Sequence, residues 1–232
     1  MKKLIIAVLT SLVLTGTTAF AGSIQIGTKA SMAFIEASGN EKTTAGTVTG
    51  GTADTHSATA NNNVGIASMF AEYSFDSSLW GQDGNEITLG ANYVFGDADV
   101  SDSISSRSES AEDAAGSGSS GSVTYSANAM VEDYVNYYIE VPVQGAVFVK
   151  LGMSQIDVIT QEDADHHGSY GDATLDGVNY GVGIKGLYGP LQVKLAYEAT
   201  DWDQLKLTST TSNTITADLD VDELALSVAY RF

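Results

Sequence analysis

The chain has 232 residues, 10 Lys and Arg against 29 Asp and Glu, a formal charge of −19, 24 glycines, two prolines and no cysteine. The missing thiols exclude a disulfide scaffold, a thiolate metal site, a cysteine nucleophile and a lipoprotein anchor. Acidity excludes nucleic acid as a partner, because phosphate binding needs clustered Lys and Arg, and a charged fraction of 17%, below the roughly 25% of soluble domains, argues against a soluble α/β enzyme.

Residues 1–21 read as a secretory signal peptide. Lys2 and Lys3 form the basic start, residues 4–14 the apolar stretch, and Ala19-Phe20-Ala21 the small-x-small cleavage site. The apolar stretch is too short for a membrane helix, which needs about 20 residues. The mature chain is expected to begin at Gly22, and residues 22–232 to form one domain outside the cytoplasm.

From Gly22 onward the signal is period-two alternation, which places one residue set on each face of a strand. Ile24, Ile26, Ala30, Met32 and Phe34 oppose Gln25, Gly27, Lys29, Ser31 and Ala33. Met69, Ala71, Tyr73 and Phe75 oppose Ser68, Phe70, Glu72 and Ser74; Ile87, Leu89, Ala91, Tyr93 and Phe95 oppose Glu86, Thr88, Gly90, Asn92 and Val94. Val135, Tyr137, Ile139 and Val141 oppose Tyr134, Asn136, Tyr138 and Glu140; Val147, Val149, Leu151 and Met153 oppose Phe148, Lys150, Gly152 and Ser154. Val178, Tyr180, Val182 and Ile184 oppose Asn179, Gly181, Gly183 and Lys185; Leu191, Val193, Leu195, Tyr197 and Ala199 oppose Gln192, Lys194, Ala196 and Glu198. Leu224, Leu226, Val228, Tyr230 and Phe232 oppose Glu223, Ala225, Ser227, Ala229 and Arg231. Eight strands are predicted.

The connections alternate in length. Residues 38–62, 97–121, 161–173 and 203–217 form long polar links, whereas those around Asp76 to Asn85, Pro142 to Gly145 and Tyr188 to Pro190 are short. This asymmetry fits an antiparallel up-and-down transmembrane β-barrel with long external loops and short periplasmic turns. Both prolines fall in the short turns, where no ladder N–H is needed. Part of residues 43–60 could add strands, so ten is the alternative to eight.

A sheet that crosses a bilayer must close, because lipid offers its backbone no partners. The charged sets then point inward: Lys29, Glu72, Glu86, Glu132, Glu140, Lys150, Lys185, Lys194, Glu198, Glu223 and Arg231, with Tyr134 and Tyr138 beside them. Aromatic rings favour the membrane–water interface. Tyr73, Phe75, Trp80, Tyr188, Tyr230 and Phe232 are assigned to the periplasmic rim, and Phe34, Tyr93, Phe95, Tyr197 and Trp202 to the external one.

With these features the chain resembles the bacterial outer-membrane β-barrel family, in particular its small eight-stranded OmpA/OmpX-like members. The resemblance rests on Ala19-Phe20-Ala21, the eight alternating segments and the closing strand. It implies residence in the outer membrane among lipid and lipopolysaccharide. It also implies that Leu224, Leu226, Val228, Tyr230 and the terminal Phe232 serve as the signal read by the outer-membrane assembly machinery. A single-chain, monomeric barrel is expected.

Two readings of the interior stay open. A small barrel's lumen is just wide enough for side chains to fill, so the charges can form a paired plug, with Tyr134 and Tyr138 reaching across to the space left by Ala225, Ser227 and Ala229. Alternatively, Gly152, Gly181 and Gly183 leave a narrow, porin-like path for ions or small solutes. The remaining acids gather in the loops, where they give a solvated fringe or bridge divalent cations. Asp163, Asp165, His166 and His167 form the one loop cluster with metal-ligand or hydrolytic chemistry, but no strand-borne Ser/His/Asp spacing supports a nucleophile and no cofactor motif occurs. The expected function is non-enzymatic: a structural or surface-interaction protein presenting acidic loops.

Overall fold

The computed structural model describes residues 22–42, 55–77, 85–101, 105–110, 122–163, 169–210 and 212–232. The signal segment and Trp80 lie outside these residues, as do Asp165, His166 and His167.

Among the described residues eleven strands follow one another: β1 (Gly22–Lys42), β2 (Thr55–Ser77), β3 (Asn85–Val94), β4 (Ala98–Asp99), β5 (Ser105–Ser110), β6 (Ser122–Gln144), β7 (Val147–Asp163), β8 (Ala173–Tyr188), β9 (Leu191–Trp202), β10 (Leu205–Thr208) and β11 (Thr214–Arg231). Eight of them, β1, β2, β3, β6, β7, β8, β9 and β11, pair in that order, and β11 returns to pair with β1. All eight pairings are antiparallel, and the closing seam runs from Gln25 opposite Arg231 to Lys42 opposite Thr214. The sheet is therefore a closed, eight-stranded up-and-down barrel. The short β4 and β5 attach to β6, and β10 attaches to β11, outside the ring order.

The strands run further outward than their apolar alternation predicts. Residues 38–42 and 55–62, assigned to a loop, continue the β1–β2 ladder, and residues 214–217 continue β11. Backbone pairing does not require apolar side chains, so hydrophobic period marks where the wall meets lipid and not where it ends. At the other end, β6–β7 and β8–β9 are joined by Gly145-Ala146 and Gly189-Pro190. Each glycine has positive φ, 57° and 62°, a conformation that only glycine adopts without a Cβ penalty. Pro142 lies not in the turn but in the last rungs of β6, beside a register shift that spares the ladder its missing N–H.

A second irregularity has larger effects. Between Glu132 and Val135 the β6–β7 register slips, with Asp133 at φ 54°. An extra residue reverses the faces on either side of a bulge. Below it Tyr134, Asn136, Tyr138 and Glu140 face inward; above it Val131, opposite buried Val158, does so. Glu132 is thereby turned to the outer side, opposite Asp157, and leaves the inward set in which the unbroken alternation had placed it.

A charged lumen inside an apolar wall

The barrel is polar within and apolar without. Met153, Leu151 and Val149 on β7, Val178, Val182 and Ile184 on β8, Leu195 and Tyr197 on β9, and Leu224, Leu226 and Val228 on β11 are all exposed, while Lys29, Glu72, Glu140, Lys150, Lys194, Glu198 and Glu223 are buried. A soluble sandwich would show the reverse. In water so large an apolar surface would drive association; in a bilayer it is the required face. The chain is an inside-out, membrane-spanning β-barrel.

The lumenal charges are paired. Lys29 Nζ lies 2.8 Å from Glu223 and 3.5 Å from Glu198, and Lys150 Nζ lies 2.8 Å from Glu198. A second cluster centres on Lys194, which binds Glu72 and donates to both oxygens of Glu140 at 2.7 and 2.8 Å. Lys185 approaches the same Glu140 at 3.8 Å. Tyr138 joins the two clusters: its hydroxyl donates to Glu72 at 2.6 Å, and the Lys150 ammonium sits 4.0 Å from its ring centroid. Nearer the periplasmic end, Arg231 clasps Glu86 through both terminal nitrogens. Five cations thus meet five carboxylates, the balance a low-dielectric interior needs, since an unpaired buried charge costs several kcal/mol.

Aromatic rings fill the space between the charges. Phe148 is 1% exposed, and a Cβ on Gly183 would come within 2.5 Å of its ring. Phe70 occupies the space over Gly27, and Tyr138 leans over Gly90. Tyr138 therefore packs along β3 toward β2 instead of crossing to Ala225, Ser227 and Ala229 on β11 as expected, while Tyr134 bonds Ser154 at 3.2 Å. Gly181 faces the Glu198 side chain. The lumenal glycines are sites of close packing.

Above the ionic layer the lumen becomes apolar. Ile35, Ile156, Val158, Leu175 and Leu219 form a buried cluster, with Val131, Tyr134 and Trp202 against it. Trp202 belongs to this cluster and not to the external aromatic belt: it shares the inward parity of Lys194, Glu198 and Thr200 and packs edge-on against Tyr134 at 6.0 Å. These residues lie beyond the stretches of apolar alternation, so hydrophobic period alone does not mark them. Extending the parity of each strand outward places Ile35, Ile156, Val158, Leu175 and Leu219 on the inner face.

On the outside, exposed Glu36, Asp201, Asp220 and Asp222 succeed the apolar belt. Among the described residues no three His, Asp or Glu side chains are grouped closely enough to hold a metal ion. Asp163 ends β7; its three companions in the loop cluster fall outside the described residues.

No protein-family model and no curated protein matches the chain. Among solved structures it is similar to Ail of Yersinia pestis, solved with the heparin analogue sucrose octasulfate, at 13% identity over 89% of this chain and 99% of that one, TM-score 0.38. Neisserial surface protein A is 10% identical over 87% and 97%, TM-score 0.32, and the outer membrane protease OmpT of Escherichia coli 10% identical over 94% and 100%, TM-score 0.45. These likenesses concern the course of the chain and carry no ligand or activity with them.

Proposed function

We propose that the chain is exported by the signal segment of residues 1–21 and seated in the bacterial outer membrane as a surface-interaction protein: a plugged barrel serves as anchor, and its acidic outer rim is the functional surface. The observation that carries this reading is the matched set of lumenal ion pairs with rings packed between them; an interior occupied in this way favours the outer surface as the place of function. The β1 and β2 walls continue about eight residues past Phe34, on the order of 25 Å of strand. The outward acids of the rim, Glu36, Asp201, Asp220 and Asp222, favour cationic partners, namely basic protein surfaces or divalent cations bridging to lipopolysaccharide, and disfavour polyanions. No catalytic role is included.

Single-channel recording in planar bilayers tests the plug. The purified barrel is expected to give no stable conductance steps; large, regular steps would establish the porin-like alternative.

A further inference from the structure

The barrel wall has a window. The β2–β3 ladder ends at Ser68 opposite Val94, yet β2 continues for another thirteen residues paired only with β1. After β3 the chain turns away at Gly96, φ +105°, and rejoins the wall as β4, which pairs with β6 and not with β2. Among the described residues, β2 and β4 are joined by one hydrogen bond, from Asn62 Nδ2 to the Asp99 carbonyl at 2.8 Å. Between that bond and the last β2–β3 rung, the β2 edge at residues 64–67 faces residues 94–98 with no ladder pair.

The window opens at the height of the lipid. Gly65 and Ala67 stand opposite Met32 and Ala30 in the apolar part of β1, and Phe95, 57% exposed, flanks the opening. Behind it lies a cavity of about 100 Å³ lined by Val64, Ile66, Val131, Ile156, Leu219 and Trp202. An engineered apolar cavity of about 150 Å³ stays dry and admits benzene, so this one has room for the end of an alkyl chain. The indole N–H of Trp202 is buried and donates to no partner. Asp97 also lines the cavity, and a negative charge there opposes an anionic head group.

We infer that this cavity takes the end of an uncharged aliphatic chain, which enters sideways from the outer half of the bilayer between the β2 edge and residues 94–98. The source is either a membrane lipid's acyl chain or a free neutral amphiphile.

The chain's two tryptophans make the test direct. In a Trp80→Phe background, Trp202 fluorescence is followed in phosphatidylcholine vesicles as 11-bromo-1-undecanol is added. The expected result is saturable quenching, reversed by excess 1-undecanol and at least fivefold weaker with anionic 11-bromoundecanoic acid. A Cβ on Gly65 meets no atom within 4 Å, so Gly65→Phe starts in open space at the window, and Val64→Phe fills the cavity. Each is expected to weaken quenching at least fivefold while the barrel's heat-sensitive gel mobility persists. Saturable quenching by the alcohol identifies a free amphiphile. Quenching by chain-brominated phosphatidylcholine alone, lost in both variants, identifies a lipid acyl chain. Non-saturable quenching, insensitive to competitor and unchanged in the variants, reports only the nearby bilayer and overturns the proposal, as does no quenching in a folded barrel.

Discussion

At the residue scale, the decisive quantity is how each lumenal charge is shared. Lys194 is buried and holds two carboxylates, Glu72 and Glu140. Removing one member of a buried set leaves the others uncompensated, which costs about 3–5 kcal/mol, whereas replacing the whole set by neutral groups of similar volume is often tolerated. Lys194→Met is therefore expected to lower the urea midpoint of the folded barrel by an amount corresponding to about 3–5 kcal/mol, and adding Glu72→Gln, which leaves Glu140 with Lys185, is expected to restore most of it. The pair of Arg231 and Glu86 is more exposed, 25% and 17% by side chain. Arg231→Ala is expected to shift the same midpoint much less, since solvent-screened pairs contribute about 0–1 kcal/mol. Equal effects at Lys194 and Arg231 would mean that burial does not govern this network.

At the element scale, every strand separates lipid from charge by its two-residue period. On β11, Leu226 is exposed and its neighbour Ala225 is 1% exposed. Leu226→Arg near mid-belt is expected to cost about 2–4 kcal/mol in lipid, and Thr216→Arg, beyond the belt on the same strand, far less; urea unfolding in vesicles measures both. The same period made the barrel portion of each strand legible in the sequence, together with the ten paired lumenal charges. What it could not show are features that leave the hydrophobic period intact or break it locally. The polar extensions of β1 and β2 are held by backbone bonds, which carry no side-chain signature. The bulge at Asp133 costs one residue of register and turns Glu132 outward, a change that only the partner strand reveals. Ring placement was equally hidden: the rings of Phe70, Phe148 and Tyr138 settle where glycines on neighbouring strands make room, and strand order alone does not say which glycine meets which ring.

At the scale of the whole molecule, one chain assembles three environments. An apolar belt surrounds the wall, an ionic layer lies in the lower lumen, and an apolar cluster lies above it, beneath exposed acids. Export is the first step in this account, so protein recovered from the envelope is expected to begin at Gly22 by N-terminal sequencing; a start at Met1 would return residues 1–21 to the barrel's own structure. The central claim is the polarity of the wall, and the absence of native cysteine allows it to be measured cleanly. Single cysteines at successive positions from 224 to 230 on β11, each carrying a nitroxide in reconstituted vesicles, report oxygen accessibility residue by residue. The account predicts high values at 224, 226, 228 and 230 and low values at 225, 227 and 229. A flat profile, or one with the opposite phase, would contradict it.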